Sequence, residues 1–433
     1  MKISELIKIT NAKLIGNLEE DFNVQISTDT RTIKDGDFYL PLKGASFDGE
    51  KFILQAFEKG AVGAFCTDLI SIPDDCKKPL LQVPDTLTAY LQLANYQRRI
   101  QNYTVVAITG SSGKTTTKEI VASTLEGKFK VFKTPLNHNN EVGFCQTIFS
   151  TPSDTEVLVL EMGMRGLGEI ELLSKYAEPD ITIISNVGTA HIGRLGSREN
   201  IAKAKCEIVK YQRGKIFIAH DDEIIKNTVD FNGEKIFYSI NDVKILEKNT
   251  NYSKFEYQND IYELNVGGDY NIENALSAIN AGKKLGMSVT EIQNGLKNYR
   301  PIEKRWEAVK AGGYEIINDS YNANPESMRA FLNTIFELYN DYVIILGDMG
   351  ELGENEVQYH RELGEYIYKK NPSARILTVG KLSKNISEAC NGKHFNDIES
   401  VVEYIKTDVS KTSKIFLKAS RSMKFENIIT VLS

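Results

Sequence analysis

The chain has 433 residues, of which 41% are hydrophobic and 25% charged, and a formal net charge of -6. That length exceeds what one hydrophobic core organises and predicts three domains. The weakly acidic balance, with scattered basic residues, excludes nucleic acid and an anionic membrane surface and leaves a small-molecule partner. No apolar run reaches the ~20 residues that span a bilayer, and MKISELIKIT lacks the apolar stretch of a secretory signal, so no membrane insertion and a cytoplasmic location are expected.

Residues 1–83 mix short strand-like runs, such as Asp37-Phe38-Tyr39-Leu40, with a helical pattern around Ile53, Phe57 and Ala61, which reads as a small α/β module. From Pro84 to Ile100, the positions Leu87, Leu91 and Ala94 share one helical face and predict a connecting helix that opens the middle domain, residues 84–300. There the runs YTVVAIT, EVLVLEM and ITIISNVG alternate with polar or helical segments, the pattern of a parallel sheet with helices on both faces. A third block, residues 301–433, repeats that rhythm through YEIIND, DYVIILG, ARILTVG and KIFLK, with helices from Pro325, around Tyr359 to Tyr368 and after Asp397. It predicts a second, smaller, Rossmann-like doubly wound domain. Five cysteines (Cys66, Cys76, Cys145, Cys206 and Cys390) are dispersed without C-x-x-C spacing, which predicts free thiols rather than disulfides or a zinc site.

The run Gly110-Ser111-Ser112-Gly113-Lys114-Thr115 follows an apolar strand and opens a helix, the setting that gives a phosphate loop its meaning. Its backbone amides can close around phosphate oxygens beside the positive helix terminus. Lys114 reaches the terminal phosphates of ATP, and the Thr115 hydroxyl can ligate magnesium. The spacing is shorter than G-x-x-x-x-G-K-[ST], because Ile108 stands where that pattern has its first glycine. Glu161 ends the strand Val157–Leu160, where a carboxylate could hold Mg²⁺ or simply be solvated. In ISNVGTAHIGRLGSRENIAKAKCEIV, His191 follows a strand end, and Lys205 lies on a helix whose buried face carries Ile201, Ala204 and Ile208. Taken alone, both are ordinary residues.

Together with GGDYNIENALSAIN (267–280), these segments resemble the Mur ligase family, which joins amino acids or peptides to UDP-N-acetylmuramoyl precursors. The resemblance implies an α/β protein of three domains: a UDP-binding module, a central P-loop ATPase domain and a C-terminal Rossmann-like domain. The family's phosphate loop has this shortened spacing and extends to Thr116. The resemblance makes Thr115, Glu161, His191 and Lys205 the ligands of about two Mg²⁺ ions, with Lys205 carried as a carbamate. An ammonium would repel the metal, whereas a carbamate can bind or position it. Asn271 and Asn274 match residues at the adenine end, although asparagines in a first helical turn can equally be caps. Arg305 and Asp319 match a grip on ribose and phosphates.

The run Asp319-Ser320-Tyr321-Asn322-Ala323-Asn324-Pro325 resembles the D-x-Y-N-A-N-P signature of the branch whose substrates are UDP-N-acetylmuramoyl-tripeptide and D-alanyl-D-alanine. LGDMGELG (346–353) with His360, LNHNNEVG (136–143), STDTR (27–31) and LKGASFDG (42–49) resemble the same branch. The resemblance therefore implies that Thr28, Asp29, Thr30, Arg31, Lys43, Gly44, Asp48 and Gly49 hold the UDP end. Asn139 and Asn140 would lie near the precursor, and Tyr321, Asn322, Asn324 and Arg421 in the dipeptide pocket. Two departures stand out. Lys418-Ala419-Ser420-Arg421 has alanine where the branch reads K-G-S-R, and Lys304 stands where the family tends to have glycine before Arg305.

A P-loop kinase or GTPase would account for the Gly-Lys-Thr loop and Glu161 but leaves Asp319–Pro325 unexplained. Folylpolyglutamate synthase, a relative of the family, shares the central domain, and the N-terminal UDP-site resemblance argues against it. A non-catalytic ATP-binding scaffold would have lost a catalytic position, and none is lost. A monomer is expected, because three domains must move.

Overall fold

By its contacts the chain divides into two units, residues 1–103 with 140–153 and residues 104–139 with 154–433. The computed structural model describes every residue except 19, 45–46, 70–75 and 303. In the first unit β1 (Lys13–Ile15), β2 (Ile26–Ser27), β3 (Phe38–Tyr39), β4 (Gly63–Cys66) and β5 (Leu80–Gln82) form a sheet in the order β1-β5-β4-β3-β2. It is parallel except where β1 meets β5. Its core gathers Tyr39, Ile53, Ala56, Ala61, Ala64, Cys66 and Leu80. The expected connecting helix is Thr86–Gln101, capped by Asp85 and ended by Asn102 in the left-handed region. It packs on the helices Ile3–Thr10 and Glu141–Ser150.

The second unit opens with β6 (Thr104–Thr109), β7 (Val131–Lys133), β8 (Val157–Glu161), β9 (Ile181–Ile184), β10 (Ile216–His220) and β11 (Glu234–Tyr238). Their order is β11-β10-β9-β6-β8-β7, and every pairing is parallel. Val105–Ile108 and Val157–Leu160 are fully buried apolar runs because helices cover both faces, so no alternation is needed. Chain order reverses at β6, with β8 on one side and β9 on the other. In open α/β sheets, ligands sit beyond the carboxyl ends at such a point.

Sequence reasoning did not anticipate the antiparallel meander that follows, β12 (Val243–Asn249), β13 (Tyr252–Tyr257) and β14 (Asp260–Leu264). Only one face is covered. Phe255, Tyr257, Tyr262 and Leu264 are buried, while Lys244, Glu247 and Lys254 lie among partly or fully exposed positions. The last sheet comprises β15 (Glu307–Ala311), β16 (Tyr314–Asn318), β17 (Tyr342–Gly347), β18 (Ile376–Val379), β19 (Lys393–Phe395) and β20 (Lys414–Lys418). Its order is β15-β16-β20-β17-β18-β19, parallel apart from the β15–β16 hairpin.

Trp306 ties that sheet to the meander. Its ring is 3% exposed, meets Tyr270, Phe331 and Phe416 at centroid distances of 5.7–6.0 Å, and donates Nε1–H to the Thr250 carbonyl at 3.0 Å. Truncating so buried an aromatic costs about 3–5 kcal/mol. The two sequence departures resolve differently. Ala419 is fully buried and is not among the positive-φ residues, so it asks nothing that only glycine could give. Lys304 has φ +60, which explains the family's preference for glycine there. The strain is offset by its backbone N–H bond to Glu307 and its ammonium contact with Glu426.

Candidate active site

β6 delivers the loop that begins at Gly110. A Cβ on Gly110 would stand 1.9 Å from the Ser185 hydroxyl and 3.3 Å from the Asn186 backbone nitrogen, so with serine at position 185 the space beside β6 suits glycine. Asn186 then shapes the loop. Its carbonyl accepts from Ser111 N at 3.0 Å, its Oδ1 accepts from Ser112 N at 2.9 Å, and its Nδ2 donates to the Ser112 carbonyl at 3.0 Å. The helix Lys114–Leu125 follows, with Gly113 at φ +74 as its N-cap. The first amides of that helix have no intrahelical acceptor, as in any helix, and they converge with the positive helix terminus on a site fit for phosphate. Lys114 Nζ donates to the Gly110 carbonyl at 2.9 Å. Burial pushes its ammonium below the usual lysine range and Arg305 adds to this, while Glu161 and Glu351 work against it.

Glu161, at the end of β8, is 7% exposed. Its Oε1 accepts from Asn139 Nδ2 at 3.0 Å, and its Oε2 lies 3.9 Å from Lys118 Nζ. Lys118 was not singled out in the sequence. It sits one turn beyond Lys114, is 1% exposed, and donates to the Thr134 carbonyl at 2.7 Å while lying 3.1 Å from Glu119. The i, i+4 spacing on a phosphate-loop helix was the available signal. Lys205 is 1% exposed on the helix Arg198–Cys206, and Ile201, Ala204 and Ile208 are buried, as the sequence pattern predicts. Burial drives its ammonium well below the lysine range, and the charge of Lys114 adds to this. Among the described residues no carboxylate pairs with it to offset that cost.

The segment after β9 carries Thr189 and His191. Glu326 reaches it from the first turn of the helix Pro325–Leu338. Its Oε1 accepts from Thr189 N at 3.1 Å and its Oε2 from the Thr189 hydroxyl at 3.0 Å. His191 Nδ1 stands 2.6 Å from Oε2 of Glu351, whose carboxyl the histidine holds below its usual range. Arg305 donates from Nη2 to the Thr115 hydroxyl at 3.0 Å, and its guanidinium lies 4.0 Å from the centroid of the Tyr321 ring. Asp319 faces Lys418, with Oδ2 2.5 Å from Nζ, and accepts from Trp306 N at 3.3 Å. The same ammonium donates to the Asn322 carbonyl at 3.3 Å, so Lys418 ties the start of the segment Asp319–Pro325 to its middle. Tyr321 donates its hydroxyl to Asn137.

Other expected residues are occupied locally. Neither Asn271 nor Asn274 is a cap, because Gly268 caps the helix Asp269–Lys284. Asn271 Nδ2 donates to the Gly267 carbonyl at 2.7 Å. Asn274 Oδ1 accepts from Thr117 at 3.0 Å and lies against Gly113. Thr116 is buried in the first turn of the phosphate-loop helix. Asn324 is the N-cap of Pro325–Leu338, and Asn140 that of Glu141–Ser150. Arg421 pairs with Glu426 at 2.7 Å with its side chain 54% exposed. Asn139 belongs to the second contact unit and Asn140 to the first.

In the first unit, Thr28–Arg31 and Lys43–Gly49 follow the carboxyl ends of the neighbouring parallel strands β2 and β3; Ala45 and Ser46 of the second segment lie outside the described residues. Arg31 holds the Asp29 carboxyl down at about 2. Burial pushes the Tyr39 hydroxyl up to about 12, with Asp29 and Asp48 adding to it, which marks where the two segments converge. Tyr39 donates to the Gly49 carbonyl at 3.0 Å, Lys59 to the Thr30 carbonyl at 2.9 Å, and Lys43 to Thr67 at 2.9 Å. The Gly44 amide donates to the Phe47 carbonyl at 2.7 Å.

Among the described residues, no cluster of three or more His, Cys, Asp or Glu side chains could hold a metal ion. Thr115 and Glu161 offer the oxygen ligands that a hard cation prefers, and a histidine backed by a carboxylate is the usual arrangement of a ligating imidazole. Lys205 as an amine does not fit. It fits only if converted to an anion. The residues at this switch point can bind phosphate and gather cations around it, and no activated protein nucleophile stands among them.

The Mur ligase middle domain model matches residues 108–282, and the Mur ligase, glutamate ligase domain model matches residues 304–421. A UDP-N-acetylmuramoyl-tripeptide–D-alanyl-D-alanine ligase of Bacillus subtilis is 35% identical, with 99% of this chain and 96% of that protein covered. Among solved structures, MurF from Acinetobacter baumannii superposes with a TM-score of 0.89 at 28% identity, covering 99% of this chain and 98% of the other. MurF from Thermotoga maritima in complex with ADP gives a TM-score of 0.83 at 28% identity, covering 94% and 96%.

Proposed function

The chain belongs to the Mur ligase family, and on that premise we propose that it is a cytoplasmic, ADP-forming peptide ligase acting on UDP-N-acetylmuramoyl-tripeptide and D-alanyl-D-alanine. Its product would be UDP-N-acetylmuramoyl-pentapeptide for peptidoglycan synthesis. The observation that carries this reading is the meeting of Arg305 with Thr115, which brings the segment Asp319–Pro325 to the phosphate loop. We assign residues 1–83 to the precursor's UDP end, 84–300 to ATP, and 301–433 to the dipeptide and to closure over ATP, in a monomer.

A carboxylate is a poor electrophile, and the reaction proceeds by activating it. The terminal carboxylate of the precursor attacks the γ-phosphate in line, giving an acyl phosphate and releasing ADP. The dipeptide amine then attacks the acyl carbon, and phosphate leaves from the tetrahedral intermediate. Both steps concentrate negative charge, so cations and oriented amides serve better than a protein nucleophile. Lys114 and the first amides of its helix would hold the β- and γ-phosphates. Arg305 would exchange Thr115 for the phosphates or ribose, with Asp319 beside it, while Asn271 and Asn274 would serve the adenine end.

Magnesium, about two ions held by Thr115, Glu161, His191 and a carbamylated Lys205, would neutralise the phosphate oxygens. The burial that disfavours the charged form of Lys205 suits carbamylation, because only an unprotonated amine attacks CO₂. Thr28–Arg31, Lys43, Gly44, Asp48 and Gly49 would take the UDP end, Asn139 and Asn140 the precursor, and Tyr321, Asn322, Asn324 and Arg421 the dipeptide. Docking of the dipeptide segment over the phosphate loop would exclude water and protect the acyl phosphate.

The deciding experiment is phosphate release across a panel of muramoyl peptides and amine acceptors. Release should require ATP, a UDP-muramoyl tripeptide and a D-alanyl dipeptide together. Release with a folate and glutamate but not with muramoyl peptide would overturn the reading, as would release with a simple alcohol acceptor alone.

A further inference from the structure

His191 has φ +67, a conformation that a non-glycine residue keeps only when its surroundings impose it. Two carboxylates that follow strands of the C-terminal sheet hold the segment around it, Glu326 from the first turn of a helix and Glu351 from a loop. Glu326, following β16, takes the amide and hydroxyl of Thr189, and the fit is tight: a Cβ on Gly188 would lie 2.7 Å from the Glu326 carboxyl carbon. Glu351, following β17, sets Oε2 2.6 Å from His191 Nδ1, and its carbonyl accepts from Gly193 N at 3.4 Å. The Nδ1 contact is close but not aligned as a hydrogen bond. A carboxylate on Nδ1 favours the tautomer that carries its proton there, which leaves the Nε2 lone pair for a cation.

We infer that Glu326 and Glu351 are positioning residues, the first fixing the loop and the second the ring, so that His191 presents Nε2 to the metal only when the C-terminal sheet is docked. This rests on the reading of His191 as a metal ligand. The two anions divide the task. Glu326 touches backbone and hydroxyl and can act only on the path of the loop, whereas Glu351 faces the imidazole and acts on its tautomer. A staple that merely joined the two sheets would not need Glu351 to face the histidine, and its removal would lower thermal stability without touching the cation.

The test uses the full chain with ADP and Mn²⁺, reading free Mn²⁺ by electron paramagnetic resonance and the His191 tautomer by ¹⁵N–¹H correlation. E326A, E351A and T189V should each weaken Mn²⁺ binding about 10–100-fold, the usual cost of losing an outer-sphere partner. E351Q, whose amide oxygen can still accept from Nδ1–H, should recover part of the loss, and E351A should shift the ring away from the Nδ1–H form. T189V serves as the independent arm if E326A does not fold. H191A separates the two ideas. If H191A binds Mn²⁺ as the wild type does, both the ligand reading and this inference fall. If H191A is weakened while E326A, T189V and E351A are not, the ligand reading stands and the inference falls.

Discussion

Arg305 Nη2 donates to the hydroxyl of Thr115 at 3.0 Å, although 190 positions separate them in the sequence. The oxygen proposed for a magnesium ion is thus already paired with a cation, and nucleotide binding has to exchange the two. Tyr321 covers the guanidinium face, which fixes the plane of the fork. R305A should raise KM for ATP by about tenfold or more, since a charge-assisted contact is worth about 1.5–3 kcal/mol. R305K should recover little of that, because an ammonium lacks both the fork and the stacking surface. Steady-state kinetics at saturating precursor and dipeptide measures both, and an unchanged KM in R305A would remove Arg305 from the nucleotide site.

Gly110 tests whether the loop's path matters as much as its charges. G110A brings a methyl to 1.9 Å from the Ser185 hydroxyl but only to 3.2 Å from Ser185 Cβ. The single variant should lose ADP affinity by about tenfold or more, and the double variant G110A/S185A should regain part of it, a coupling expected for residues in direct contact. Calorimetric titration with ADP gives both values. Additive losses would mean that the crowding is relieved elsewhere.

Lys205 gives a chemical test. K205A should reduce phosphate release by about 100-fold or more, the scale of removing one charge-stabilising group, and formate or acetate should restore part of the activity by supplying the missing anion. Full activity in K205A without added carboxylate would refute the carbamate.

His360 is a structural residue with a pH signature. It is fully buried, Nε2 accepts from Met349 N at 2.9 Å, and Nδ1 donates to the Glu356 carbonyl at 2.6 Å, so it is held neutral. Burial sets its folded value below 6.5. The unfolded chain therefore takes up the proton first as pH falls. The contribution is complete above about pH 6.5 and is lost progressively from there down to the depressed folded value. Melting curves should show this slope in the wild type and lose it in H360A. That variant should also be less stable by about 2–4 kcal/mol at pH 7.5, with a cavity and two unpaired backbone groups left behind.

What the sequence made legible was contiguous. The phosphate loop, the apolar runs of β6, β8 and β9, and the buried face that holds Lys205 can each be read within a dozen residues, because period and local chemistry define them. Glu326 and Glu351 could not be found that way, since nothing in Pro325-Glu326 or Gly350-Glu351 announces a partner more than a hundred positions away. The meander β12–β14 escaped because Lys and Glu residues interrupt its strands, with Ile245, Leu246 and Ile261 exposed among them, so it lacks the apolar runs that mark the parallel sheets. Asn140 and Asn324 look like binding residues when matched by motif. Each also does a helix-capping task that the sequence could have signalled, in Asn324 by the proline that follows it.

Trp306 is the only tryptophan in the chain, and it lies buried where β15–β20 meets the meander, bonded to Thr250. The protein therefore carries a built-in optical reporter at that seam. Under selective excitation its emission comes from one indole in one environment, so withdrawal of the last sheet from the phosphate loop would show as a red shift and as exposure to a dissolved quencher. The same signal, followed in a rapid mixer, would time the movement against phosphate release without any label.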